Sequence, residues 1–204
     1  DDWMQALRRR CTETGALLIF DEIQTGFGRT GDLFAFEGFG VVPDVMSVAK
    51  AMGGGMPLGA FISSPEILDV LRRDPPLSHV TTFGGHPVSC AAAFATLQVL
   101  LEEHLPARAE TVGQRVRERL DHPLIRAVRG RGAMLGMELV SRDVTQQMVE
   151  RCLDEGVLLG WTLHSNTLVR IAPPLNIPLD VLDTALDTMR DALDAVQEQL
   201  GATH

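Results

Sequence analysis

Two short apolar runs in this chain end abruptly on residues of opposite chemistry. Ala16-Leu17-Leu18-Ile19-Phe20 stops at Asp21, and Val45-Met46-Ser47-Val48-Ala49 stops at Lys50. An amine next to a buried acid points to Schiff-base chemistry, because a desolvated lysine loses its proton more easily and becomes a nucleophile. Taken singly, Asp21 reads equally well as a turn cap and Lys50 as a solvated surface charge. The elements that must position the pair favour the chemical reading. Runs of this length, without alternation and bounded by Gly and Pro, predict strands buried on both faces of a parallel sheet. Ligands of such sheets sit in the crevice beyond the carboxyl ends of the strands. Gly26, Gly28 and Gly31 follow the acid and Gly53-Gly54-Gly55 follows the lysine, so backbone can approach a ligand closely at both.

The wording around the pair is specific. Asp21-Glu22-Ile23-Gln24-Thr25-Gly26-Phe27-Gly28-Arg29-Thr30-Gly31 is followed by Pro43-Asp44 and then by Ala49-Lys50-Ala51-Met52-Gly53-Gly54-Gly55-Met56-Pro57-Leu58-Gly59. These segments closely resemble the class III aminotransferases, pyridoxal 5'-phosphate enzymes of fold type I such as the ornithine, acetylornithine and putrescine aminotransferases. The resemblance runs across essentially the whole chain. It implies an α/β fold: residues 1–105 would form the carboxyl-terminal part of the large parallel-sheet domain, with the interdomain helix, and residues 106–204 a small α+β domain.

The resemblance also implies roles. Lys50 would hold pyridoxal phosphate through its amine and then move a proton between substrate carbon and cofactor carbon. Asp21 would pair with the pyridine nitrogen and keep it protonated, making the ring an electron sink. Gln24 would set its amide against the ring oxygen. Thr82 would donate its hydroxyl to the phosphate from the neighbouring subunit, which makes the working unit at least a dimer; by position alone Thr81 competes. Arg170, in Leu168-Val169-Arg170-Ile171-Ala172-Pro173-Pro174-Leu175, would grip a substrate carboxylate with two parallel bonds. The Thr82 loop departs from the commoner wording, with Val80 where glycine is frequent and His86 where asparagine often precedes the proline.

Composition narrows the field. The chain has 204 residues, 45% hydrophobic and 22% charged, with a net charge of −9. That is an ordinary globular balance, long enough for one large domain or two small ones, and its sign argues against nucleic-acid binding. No apolar run approaches spanning length, and Asp1-Asp2-Trp3 does not open a signal peptide. Cys11, Cys90 and Cys152 are scattered and form neither a metal spacing nor a disulfide framework. A reducing cytoplasm and no metal site are the expectations.

In chain order, residues 3–14 predict an amphipathic helix with Trp3, Leu7 and Cys11 inside and Arg8, Arg9 and Arg10 outside. Leu58–Ile62 predicts a strand, and Pro65–Arg72 a helix capped by Ser64. A long helix from Pro87 to His104 carries Val88, Ala91, Ala92, Ala95 and Val99 along one side for close packing, and Pro106 marks the domain boundary. Beyond it, Ala109, Val112, Val116 and Leu120 recur at helical spacing. Strands are predicted at 125–128, 133–139, 157–159 and 168–171, with helices at 144–154 and 179–200. Arg129-Gly130-Arg131-Gly132 reads as a structural turn rather than a phosphate cradle.

A doubly wound sheet does not usually begin on a crossover helix, and in the family resembled the opening helix lies near mid-chain. About the first half of such an enzyme, which carries the phosphate loop and a ring-stacking aromatic, is therefore expected to be absent. The reading is a transaminase passing an amino group from an amino acid or ω-amine to a 2-oxo acid such as 2-oxoglutarate. An aminomutase, a decarboxylating transaminase and a non-catalytic subunit needing a fuller partner are the alternatives. Alone, the chain is expected to expose apolar surface and to associate.

Overall fold

The computed structural model describes residues 2–73, 75–76, 78–161 and 165–202. The chain divides into two compact units, Asp1–Pro106 and Ala107–His204.

In the first unit, helix α1 (Asp2–Thr14) leads to strand β1 (Ile19–Asp21), and a loop with a short 3-10 helix at Ala35–Phe39 leads to β2 (Val45–Val48). β3 (Ala60–Ser63), the short helix α2 (Pro65–Asp69) and the long helix α3 (Pro87–Glu102) follow. β1 and β2 are parallel, in register Ile19 to Val45, Phe20 to Met46 and Asp21 to Ser47. β3 runs antiparallel to β2, Val48 opposite Ala60. Residues 49–59, which carry the 3-10 turn Lys50–Gly53 and no longer helix, connect those two strands.

The expectation of strands buried on both faces is not met. Met46 and Val48 are buried on one side of β2, but Leu17, Ile19, Phe61 and Ile62 are exposed. The small-residue side of α3 is also open, with Val88 and Val99 exposed while Ser89 and Leu100 are buried. In α1 the predicted inner face holds in part: Leu7 and Cys11 are half-buried and Arg9 and Arg10 exposed, but Trp3 and Arg8 depart from it. Trp3 is 70% exposed. Gln5 donates to the carbonyls of Phe39 and Gly40 at 2.9 and 3.0 Å, and Arg8 pairs with Asp44 at 2.8 Å. These polar contacts join the half-buried Leu7 and Cys11 in seating this helix.

Asp44 knits the unit together. Its carboxylate accepts from the Leu18 backbone N–H at 2.7 Å as well as from Arg8, and its own carbonyl accepts from the Ser63 hydroxyl at 2.6 Å. The Leu18 bond and then the Arg8 bond hold the Asp44 carboxyl below the usual carboxylate range.

The second unit is built on a four-stranded sheet. Its strands are β4 (Ile125–Arg131), β5 (Met134–Leu139), β6 (Gly160–Trp161) and β7 (Leu168–Ile171), in spatial order β4-β5-β7-β6. Each neighbouring pair is antiparallel. The helices are α4 (Leu105–Arg119), α5 (Arg142–Asp154) and α6 (Leu179–Ala202). β5 alternates cleanly, burying Leu135, Met137 and Leu139. The predicted stripe of α4 is buried at Ala109, Val112, Val116 and Leu120. α5 adds Met148 and Cys152 and α6 adds Leu182, Leu186, Met189, Leu193 and Val196. Burial pushes the Cys152 thiol up to about 11, so it packs as an inert apolar group.

β4 runs through Arg131, so the Arg129–Gly132 stretch is strand end and hairpin turn together rather than a turn before a strand. That turn touches α4 directly: a Cβ built on Gly113 would lie 2.0 Å from the Gly132 carbonyl oxygen. A polar seam ties α4 to the far end of the unit. Arg108 donates to the Leu175 and Ile177 carbonyls at 3.0 and 2.6 Å. Arg115 pairs with Asp183, Arg119 with Asp187, and His122 with Asp194. The predicted strand at 157–159 is observed one step on, at Gly160–Trp161, and residues 162–164 lie outside the described residues. Among the described residues no helix is long and apolar enough to cross a membrane.

Candidate active site

Parallel pairing places an acid and a lysine at the same end of neighbouring strands. Asp21 closes β1 opposite Ser47 of β2, and Lys50 lies three residues beyond Ser47. The Asp21 carboxylate accepts from the Ile23 backbone N–H at 2.9 Å, which turns the chain away from the sheet. Among the described residues the Lys50 amine makes no hydrogen bond or ion pair. It is also the single lysine in the sequence; the other basic side chains are all arginine or histidine.

Both groups are exposed, which corrects the expectation of a buried acid beside a desolvated amine. The crevice at the strand ends is open on this chain, so nothing here strips water from either side chain. The buried acid is the neighbour, Glu22, 3% exposed. Its carboxylate accepts from the Phe36 N–H at 2.9 Å and from the Thr25 hydroxyl, and its own N–H donates to the Ser47 carbonyl at 2.9 Å. Glu22 is thus the anchor of the loop that leaves β1. Inside that loop Phe27 meets Phe34 edge-on at 5.4 Å, and a Cβ on Gly26 would come within 2.9 Å of the Glu22 carbonyl oxygen. Gln24 rides on this braced loop with its side chain exposed.

Lys50 adopts a left-handed backbone, φ 49°, unusual for a residue with a side chain. It opens a 3-10 turn, Lys50–Gly53, closed by Gly54 at φ 56°. Thr82 sits in the exposed turn before α3. Its rival Thr81 has its hydroxyl over Gly84, where a Cβ would meet it at 2.5 Å. Arg170 belongs to the second unit, on the strand face opposite the buried Val169 and Ile171. It pairs in register with Gly160, and a Cβ there would lie 3.3 Å from the guanidinium. Arg170 also borders a cavity of about 510 Å³ walled by Leu158, Ile171, Pro174, Ile177 and Met189.

The strands and helices match chains of one fold, the fold-type I pyridoxal-phosphate transferases. An ornithine aminotransferase from Toxoplasma gondii is 33% identical with a TM-score of 0.86 over 97% of this chain. An S-selective transaminase from Arthrobacter sp. gives 30% and 0.85 over 97%, and a transaminase from the marine bacterium Virgibacillus 30% and 0.86 over 98%. Residues 1–193 match the family described as Aminotransferase class-III. The chain belongs to the class III aminotransferases, whose cofactor is pyridoxal 5'-phosphate. It spans about half the length of these solved relatives, 48%, 48% and 49% of each.

The residues present suit that cofactor. A carboxylate, a carboxamide three residues on and an unengaged amine match a pyridine nitrogen, a ring oxygen and an aldehyde in kind, and all three leave from one end of a parallel strand pair. Two features of this site went unread in the sequence. That Glu22 rather than Asp21 is the buried acid has no sequence signal, since both end the same apolar run. That Lys50 is the single lysine could have been counted.

Proposed function

We propose that this chain carries the lysine half of a pyridoxal-phosphate-dependent transaminase site, acting on an amino acid or ω-amine as donor and a 2-oxo acid such as 2-oxoglutarate as acceptor. The observation that carries the reading is the parallel register of β1 and β2, which sets Asp21 and Lys50 at one strand end. When bound, the cofactor supplies an aldehyde to take up the donor nitrogen and a pyridinium ring to draw electrons from the substrate carbon.

The chain's own residues do the rest. Lys50 would hold the cofactor's aldehyde through its amine, and its free amine would serve as the base that carries a proton to and from the substrate carbon. Asp21 keeps the proton on the ring nitrogen by opposite charge. Gln24 orients the ring through its oxygen, and Thr82 reaches the phosphate of a neighbouring subunit as a neutral hydroxyl donor. Arg170 receives the substrate carboxylate in a planar two-bond grip that lysine cannot reproduce. In this reading residues 1–105 are the carboxyl-terminal part of the large domain and residues 106–204 the small domain, which the division at Pro106 supports. The working form is a cytoplasmic homodimer with a shared site. The half-length match supports a second reading, in which this chain acts only with a fuller partner.

Intact mass after incubation with pyridoxal phosphate and borohydride reduction tests this. One reduced cofactor on the chain, absent in Lys50→Ala, is the expected result; an adduct that survives in Lys50→Ala overturns the assignment. Mixing with 2-oxoglutarate and a panel of donors then separates transamination, which consumes the oxo acid, from aminomutase chemistry, which does not.

A further inference from the structure

The three glycines after Lys50 are not equivalent. A Cβ on Gly53 would meet Leu58 at 3.5–3.6 Å, ordinary contact. A Cβ on Gly55 would meet nothing within 4 Å, although its φ is 97°. On Gly54 it would lie 2.0 Å from the Thr96 hydroxyl oxygen and 3.3 Å from the Ala92 carbonyl oxygen, both on α3. The Thr96 hydroxyl is held in place, because it donates to the Ala92 carbonyl at 2.8 Å. Gly54 also closes the Lys50 turn, its N–H donating to the Ala51 carbonyl at 3.2 Å.

A left-handed lysine is a sparsely populated state that persists only where its surroundings over-determine it. On one side Lys50 is fixed by β2. On the other, the seat of Gly54 on α3 is the packing that holds its turn. We propose that Gly54 and Thr96 are positioning residues: their contact locks the Lys50 turn in its left-handed form and aims the amine out of the strand end. That this aim serves a cofactor rests on the function proposed above, whereas the lock itself does not.

Because Lys50 is the single lysine, reductive methylation with ¹³C-formaldehyde puts one dimethyl-lysine signal on the chain, apart from the amino terminus. The lock predicts that Gly54→Ala moves this signal toward the position of a free peptide and slows formation of the reduced cofactor adduct by roughly tenfold or more. Thr96→Ala added to Gly54→Ala removes the obstructing oxygen and restores both readouts in large part. Gly55→Ala, at φ 97° and so outside the left-handed well, carries at least as much backbone strain without the contact and leaves the signal in place. Equal shifts in Gly54→Ala and Gly55→Ala, or no rescue by Thr96→Ala, overturn the proposal. If Gly54→Ala does not fold, Thr96→Ala alone decides, since loss of the seat must broaden or move the Lys50 signal and an unchanged signal refutes it. A parent chain that takes up no cofactor at Lys50 sinks the functional reading and leaves the lock standing on its resonance data.

Discussion

The two units hold similar lengths of chain but use their apolar residues differently. In the second, helix stripes and the alternation of β5 close on each other, and Met137, Leu139, Met148, Leu193 and Val196 are wholly buried. In the first, the sheet has one covered side, and Leu17, Ile19, Phe61, Ile62, Phe94 and Leu97 remain in contact with solvent. Beside a small core that includes Leu18, Val41, Met46 and Val48, polar ties order it: Asp44 to Leu18, Arg8 and Ser63; Glu22 to Phe36 and Thr25; Gln5 to two carbonyls. A unit held by cooperative apolar packing and one held by directional bonds should fail in different ways, the first through cavities and clashes, the second through pH and salt.

The sharpest way to break the comparison is at Gly113. Alanine there must displace the β4–β5 turn, and its cost is expected at about 3 kcal/mol or above, read as loss of the second unit's unfolding transition. Leu193→Ala removes a wholly buried side chain and is expected to cost about 3 kcal/mol by denaturant titration. In the first unit, Asp44→Asn should cost about 1 kcal/mol at neutral pH, discounted for the side chain's partial exposure to water. Here the sign is fixed. A carboxyl held lower in the folded than in the unfolded chain stabilises the fold fully above the unfolded value, about 3.9. That contribution disappears as pH falls through the depressed folded value, so parent and Asp44→Asn stabilities should converge in acid. Ile62→Ser should change stability by less than about 0.5 kcal/mol yet reduce self-association of the chain in sedimentation. A parent chain that sediments as a monomer and unfolds in one cooperative step would erase the contrast between the units.

The sequence made the second unit legible because its patterns are local. The α4 stripe and the alternation from Met134 to Leu139 state their own inner faces, and burial follows them. The first unit misled where pattern was read as burial. An unalternating run such as Ala16–Phe20 marks a strand that could be covered twice, but coverage depends on neighbours that the run does not encode. At the site, residue types and strand ends were readable; the left-handed backbone at Lys50, the paired state of Glu22 and the seat of Gly54 on Thr96 are products of packing across distant segments.

The turn that carries Lys50 has a consequence for proteolysis. A lysine-specific endoprotease finds one internal bond to cut, Lys50–Ala51, and that bond lies inside the 3-10 turn docked on α3. Such enzymes need several residues in extended form, so cleavage must wait for the turn to leave its seat. The rate at which the chain becomes two pieces therefore reports how often this single turn opens, a clock for local unfolding set at the residue where the chemistry is expected.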